Sequence, residues 1–192
     1  MGIGRACFSE AAGRSRCLLS AHPCIPDAVK YQQIDTILAL QPGIRLVGER
    51  TLGAEEQYLT DHFPNLPVMP GVMMLEALHQ ASIWLVRSGE QFRSPLVLLR
   101  EARSVKFGDF LSPGETLRIT AETKSRHENV FKIKAVAGKG GRVTVSATLV
   151  LEACGSGDPP GLNTDQDVAR RCREQFHELF GKPADIPETE AA

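Results

Sequence analysis

Hydrophobic and polar positions alternate most regularly in the second half of the chain. Across residues 130–136, Phe131, Ile133 and Ala135 alternate with Lys132 and Lys134, the period-two mark of a strand with one buried face. Val143, Val145, Ala147, Leu149 and Leu151 repeat the pattern. Gly138, Lys139, Gly140 and Gly141 lie between the two runs and predict a hairpin turn. They lack the spacing of a phosphate-binding loop and precede a strand rather than a helix, so the turn is the reading they support. Leu117, Ile119 and Ala121 predict a third strand turning at residues 126–129. Residues 96–100 predict a fourth, and residues 44–51 a fifth.

One long helix is predicted from the Pro70-Gly71 pair to about Val86. Proline suits the first turn, where its missing N–H costs nothing. Val72, Met73, Met74, Leu75, Ala77, Leu78, Ala81, Ile83, Trp84 and Leu85 then cover nearly every face, as in a buried helix. A strand, a buried helix and four antiparallel strands predict an α+β fold whose sheet wraps around the helix.

The ends differ from this middle. Residues 1–28 have no clear periodicity; Arg5, Arg14 and Arg16 against one acid, Glu10, faintly suggest an organellar transit segment. They are expected to be a disordered or weakly docked extension, ahead of a domain at 29–153. Residues 155–161 are rich in Gly, Pro and Ser and predict a linker over 154–163. A second helix follows at 164–181, with Thr164 and Asp167 as a capping box, Val168, Cys172, Phe176 and Leu179 as an apolar stripe and Gly181 at the C′ position. That stripe must pack on the body or on a partner subunit, and residues 182–192 are expected to be a disordered tail.

Charge and composition narrow the function. The 192 residues carry 22 basic and 23 acidic groups, a net charge of −1, which argues against a dedicated nucleic-acid binder. The longest apolar stretch, residues 68–86, is broken by Pro70, Glu76, His79 and Gln80, so no membrane span is predicted. The five cysteines, Cys7, Cys17, Cys24, Cys154 and Cys172, form no CxxC or zinc-finger rhythm and suit a reducing cytoplasm. Counting charges by segment gives −1 for residues 1–99, +5 for 100–142 and −5 for 143–192. The basic middle suits an acidic partner, the acidic tail of the same chain, or simple solvation.

Candidate chemistry gathers at the start of the long helix. Glu76 has apolar neighbours on both sides, so it must be paired or carry a raised pKa, conditions that also describe a general acid–base group. A purely structural carboxylate is the alternative at this point. His62 sits in a proline-rich loop entering the helix. The helix start offers free N–H groups, and Gly71 lets a ligand approach closely, which suits a carbonyl oxygen gaining negative charge. A histidine base, a buried carboxylate and a backbone donor suit proton abstraction next to a carbonyl.

The run Asp61-His62-Phe63-Pro64-Asn65-Leu66-Pro67-Val68-Met69-Pro70-Gly71, continuing through Glu76-Ala77 to Gln80, resembles the 3-hydroxyacyl-[acyl-carrier-protein] dehydratases of type II fatty acid synthesis. Their motif reads HFPxxPxxPGxxxxEAxxQ. Lys106-Phe107 and then Phe110-Leu111-Ser112-Pro113-Gly114-Glu115 are similar to the family's second signature. The resemblance covers residues 34–153 and implies a hot-dog fold, an antiparallel sheet around one central helix, with the C-terminal helix as an addition. It implies that His62 removes the C2 proton of a (3R)-3-hydroxyacyl thioester and that Glu76 holds or protonates the departing C3 hydroxyl. Gly71 would bind the thioester oxygen, Phe63, Val72 and Met74 the acyl chain, and Gln80 would orient Glu76 or the adjoining loop. The family's site joins His of one subunit to Glu of the other, in a homodimer or trimer of dimers, and uses no metal or redox cofactor. The acyl group would arrive on the phosphopantetheine of an acidic acyl carrier protein, docking at Arg100, Arg103 and Lys106.

This chain departs from the motif at three places. Asn65 stands where glycine is usual, residues 41–50 lack the family's His-Arg pair, and His79 replaces a small residue. They imply a divergent member with altered acyl specificity, while Glu rather than Asp at position 76 implies dehydration without isomerisation. Two other readings use the same residues: a hot-dog thioesterase and a non-catalytic acyl-binding subunit.

Overall fold

A computed structural model describes residues 31–63, 65–94, 96–154, 165–181 and 184–185. The N-terminal extension, Pro64, residues 155–163 of the linker, the Thr164 cap and the side chains of Asp167 and Val168 lie outside the described residues. Strands β1 (Thr36–Gln41) and β2 (Arg45–Thr51) lead to helices α1 (Gln57–His62) and α2 (Gly71–Gly89). Then come β3 (Leu96–Phe107), β4 (Thr116–His127), β5 (Val130–Lys139) and β6 (Arg142–Cys154), followed by α3 (Asp165–Phe180) and the two-residue β7 (Ala184–Asp185). One sheet runs in the order β3-β6-β5-β4-β2-β1-β7, antiparallel throughout except for the parallel pair β1–β7.

Alternation decides which face of the sheet meets α2. Leu117, Ile119 and Ala121 of β4, Phe131, Ile133, Ala135 and Ala137 of β5, and Val145, Ala147, Leu149 and Leu151 of β6 are all buried. They close on Met74, Ala77, Leu78, Ala81, Leu85 and Val86 of α2, forming one core. Lys132 and Lys134 lie on the opposite, solvated face. Removing such apolar area from water contributes about 25 cal/mol per Å² and drives the sheet to curl onto the helix.

The expectation that α2 is buried all round needs correction. Val72 remains 70% exposed, and Met73, Leu75 and Ile83 are only partly buried. The chain's own sheet covers one side of α2 and leaves part of the other open. A second apolar exposure runs along β3, at one end of the sheet, where Leu96, Leu98, Leu99 and Phe107 are exposed.

Other differences have local causes. β1 was not expected, because Ile37, Leu38, Ala39 and Leu40 form a continuous apolar run and the β1–β2 register shifts between Ile37 and Ala39. β3 extends seven residues past the expected Arg100, because register shifts after Leu99 and after Arg103 destroy the alternation; Ser104 there has φ 51°. His62 does not sit in a loop but is the last residue of α1, a six-residue helix with a single buried residue, Leu59. β7 falls in the stretch expected to be a disordered tail, where it pairs with Ala39 and Leu40.

α3 packs on the body of the chain. Phe176 and Phe180 each meet the Trp84 ring edge-on at 5.6 Å, and Cys172 is fully buried. Gly181 ends the helix with φ 63° and donates its N–H to the His177 carbonyl, as expected of a C′ glycine. The other end of α2 is pinned by glycine. A Cβ on Gly89 would lie 2.5 Å from the Gly43 Cα in the β1–β2 turn. Gly89→Ala is therefore expected to lower stability by about 1–3 kcal/mol, read as a lower urea midpoint at unchanged slope.

Candidate active site

The segment that enters α2 is held by backbone contacts on both sides. Met69 N–H donates to the Leu111 carbonyl at 2.8 Å, tying this segment to the loop after β3. Pro70 occupies the N-cap without a side-chain cap, and the N–H groups of Met73 and Met74 both turn back to its carbonyl. A cavity of about 280 Å³ opens at this helix start, lined by His62, Phe63, Val68, Met69, Gly71 and Met74 from one side. Phe107, Gly108, Asp109 and Phe110, at and just after the end of β3, line the other.

Gly71 lies against the Phe107 ring, where an added Cβ would come within 3.1 Å of a ring carbon. His62 is exposed at the end of α1, its ring 4.2 Å from that of Phe63. The second sequence signature also builds this wall. Glu115 accepts the Ser112 N–H at 2.7 Å and pairs with Lys139 at 2.6 Å, while Gly114 N–H donates to the Leu52 carbonyl. These contacts fix the loop that carries Phe110 and Leu111. Lys139 and the Ser112 N–H hold the Glu115 carboxyl below its ordinary range.

Glu76 belongs to a different cluster. Its side chain is 39% exposed on α2, and its two oxygens are divided between two donors. Gln80 Nε2 donates to Oε1 at 2.9 Å, and His79 Nδ1 lies 3.1 Å from Oε2. Gln80 is itself anchored, since its Oε1 accepts the Gln33 N–H at 2.8 Å and its Nε2 also reaches the Tyr31 carbonyl. Burial pushes the Glu76 carboxyl upward, but the hydrogen bonds from His79 and Gln80 outweigh it and hold the group below the usual carboxylate range. The choice between a paired carboxylate and a raised pKa is thus decided for pairing.

The structure therefore brings His62, Phe63, Gly71 and Met74 together and joins Gln80 to Glu76. Glu76 is not among the residues lining the cavity that His62 and Gly71 share. Val72 does not line it either and points to solvent. Arg100 pairs with Glu152 and Arg103 with Glu101, and Lys106 adjoins Phe107 at the cavity wall. Val68 and Met69 are lining residues at unspecified positions of the first motif, while Phe107, Gly108, Asp109 and Phe110 lie outside it altogether. The basic-aromatic pair and the following Phe110 are the signal in the sequence for the wall from 107 to 110.

The curved sheet around α2 is a hot-dog fold. The dehydratase heterocomplex ApeI:P from Xenorhabdus doucetiae shares it with a TM-score of 0.56 at 16% identity, over 68% of this chain and 88% of that one. Residues 25–148 match the model of the FabA-like domain. The 3-hydroxyacyl-[acyl-carrier-protein] dehydratase FabZ of Chloroflexus aggregans is 35% identical over 129 residues, 67% of this chain and 85% of the relative. FabZ of Clostridium botulinum is 35% identical over 130 residues, again 67% of this chain and 85% of the relative. The chain belongs to the FabA-like family and, within it, to the FabZ-type dehydratases. No helix among the described residues is long and apolar enough to cross a membrane.

Proposed function

We propose that this protein is a hydro-lyase that converts (3R)-3-hydroxyacyl-[acyl-carrier-protein] thioesters to trans-2-enoyl thioesters in fatty acid biosynthesis. The observation that carries the reading is the placement of three groups about one helix. His62 and Gly71 share a cavity at the start of α2, and Glu76 follows roughly 7.5 Å further along its axis. Phe63 and Met74 line the same cavity and would lie against the acyl chain, whereas Val72 is left to solvent and takes no part in it.

In the dehydration, the His62 imidazole takes the C2 proton as the C2–C3 double bond forms. The C3–O bond breaks, and the departing hydroxyl takes a proton from Glu76 to leave as water. The Gly71 N–H holds the thioester oxygen while it carries negative charge. His62 and Glu76 then exchange their surplus and missing proton through solvent. Glu76, ionised in the single chain, must first take up a proton from solvent; covering the open face of α2 and seating an acyl chain removes water from the carboxylate and favours that protonated form.

The partner that covers this face is a second copy of the chain. A long edge strand with exposed apolar side chains invites pairing, and β3 combines Leu96, Leu98 and Leu99 with a free edge among the described residues. In such a dimer, His62 of one subunit would meet Glu76 of the other, which accounts for their separation within one chain. The carrier protein's acidic surface would dock near Lys106, the cation beside the cavity wall, with Arg100 and Arg103 further along β3.

The test is mass spectrometry of purified protein with a 3-hydroxyacyl carrier-protein thioester. Loss of water is expected; release of free acid would instead indicate a thioesterase, and no turnover at several chain lengths a non-catalytic subunit. A second expectation concerns Gly71. Gly71→Ala pushes its new Cβ against Phe107 and displaces the wall by a few tenths of an ångström. Dehydration kcat/KM should fall on the order of 10-fold, since sub-ångström misplacement of reacting groups is costly.

A further inference from the structure

Glu76 is gripped from two directions, and only one of the grips belongs to the family motif. Gln80 is the motif's glutamine. His79 lies at i+3 on the same helix. Residues three and four positions along a helix are its nearest surface neighbours, so both reach the Glu76 carboxyl. Gln80 ties its oxygen to the segment before β1 through Gln33 and Tyr31.

The His79 ring has a different set of surroundings. Its side chain is only 19% exposed, and its Nε2 is buried without a partner among the described residues. The ring's hydrogen bond there is the one between Nδ1 and Glu76 Oε2. Burying an imidazole with one nitrogen unsatisfied is unfavourable compared with an apolar side chain of the same bulk. The compensating contact is the one to Glu76.

We propose that His79 is a positioning residue for Glu76, its Nδ1–H holding Oε2 while Gln80 holds Oε1, so that the carboxyl group keeps one orientation towards the substrate hydroxyl. The inference rests on the dehydratase reading. Each carboxylate oxygen has two acceptor sites, so the clamp uses one on each and leaves the other for substrate. With Gln80 alone, Glu76 retains freedom to turn about its last side-chain bond, and the proton it delivers is misdirected for part of the time. The lowered proton affinity of Glu76 agrees with two donors acting on it together.

The test uses two replacements in the full chain, assayed with a 3-hydroxyacyl carrier-protein thioester. His79→Leu keeps apolar bulk and removes the donor. His79→Asn retains an N–H donor on the atom attached to Cγ, close to where His79 carries Nδ1. His79→Leu should lower kcat by about 10- to 100-fold, the range set by one hydrogen bond to a charged group, while KM stays within about twofold. His79→Asn should recover most of that loss. In the native protein, nitrogen-15 NMR of the imidazole should show Nδ1 protonated, with a shift that changes in Glu76→Gln.

Native kcat in His79→Leu would overturn the proposal, as would His79→Asn being no better than His79→Leu. A neutral ring carrying its proton on Nε2 would overturn it without any activity measurement. If His79→Leu does not fold, His79→Asn and the NMR signature still decide. Native protein that does not dehydrate the substrate refutes the dehydratase reading instead, and the NMR result then judges the His79 contact alone.

Discussion

Glu76→Gln is expected to reduce dehydration by about 10³–10⁴-fold, the upper part of the range for a general acid–base group, with the fold retained. The amide has the shape of the carboxyl group but cannot deliver a proton at neutral pH. It also accepts from only one of the two donors now divided between its oxygens, so its NH₂ must face either His79 Nδ1 or Gln80 Nε2. Stability should therefore fall modestly, by a few degrees in melting temperature. The pH dependence has a definite sign. Glu76 is held below the ordinary carboxylate range, so its contribution is present above the unfolded-state pKa and lost as pH falls through the folded value. The stability gap between native protein and variant should narrow on acidification. With the side chain more than one-third exposed, solvent screens the effect and keeps it small. Unchanged dehydration kinetics in a folded Glu76→Gln variant would remove Glu76 from the mechanism.

The parts of the fold legible in the sequence were those whose burial follows a strict period. β4, β5 and β6 alternate cleanly because one face packs on α2 and the other meets water. β1 and the second half of β3 were hidden by register shifts, which move side chains between faces and erase the alternation. α1 is too short to show a period, and its single buried residue, Leu59, gives no stripe. The helix α2 was legible, but its all-round apolar surface exceeds what one sheet covers, and Val72 records the excess. Composition along a chain cannot say whether the cover comes from that chain or another.

The candidate site was legible to a different depth. The spacing from His62 to Gly71 to Glu76 was plain, and so was the helix start as a place for a polarised carbonyl. The protonation of Glu76 was not, because burial and hydrogen bonding push it in opposite directions and only the geometry shows which prevails. The division of Glu76's oxygens between His79 and Gln80 was equally hidden, since i+3 and i+4 neighbours meet only when their rotamers converge. Phe107, at the end of β3, and Phe110, just before the turn that Glu115 fixes, reach the cavity from a segment distant in sequence from the first motif.

His62→Ala should cost about 10²–10⁴-fold in dehydration if, as proposed, His62 is the base that takes the C2 proton. The fold should be unaffected, since the ring is exposed at the end of α1 and its ring contact is with the neighbouring Phe63. The variant acquires its greatest use when mixed with Glu76→Gln. If each site draws His62 from one subunit and Glu76 from the other, every heterodimer of the two variants holds one site with both lesions and one with neither. Random reassortment in a two-fold dimer then makes half the molecules heterodimers, each with one working site of two. The mixture should regain about a quarter of native activity, although each variant alone is nearly inactive. A site contained within one chain allows no such recovery, because every site in the mixture carries a lesion. The mixed sample should be unfolded and refolded together, or coexpressed, so that subunits exchange before the assay. Recovery would place the two residues across an interface, the arrangement implied by the open face of α2 and the separation of Glu76 from the His62 cavity.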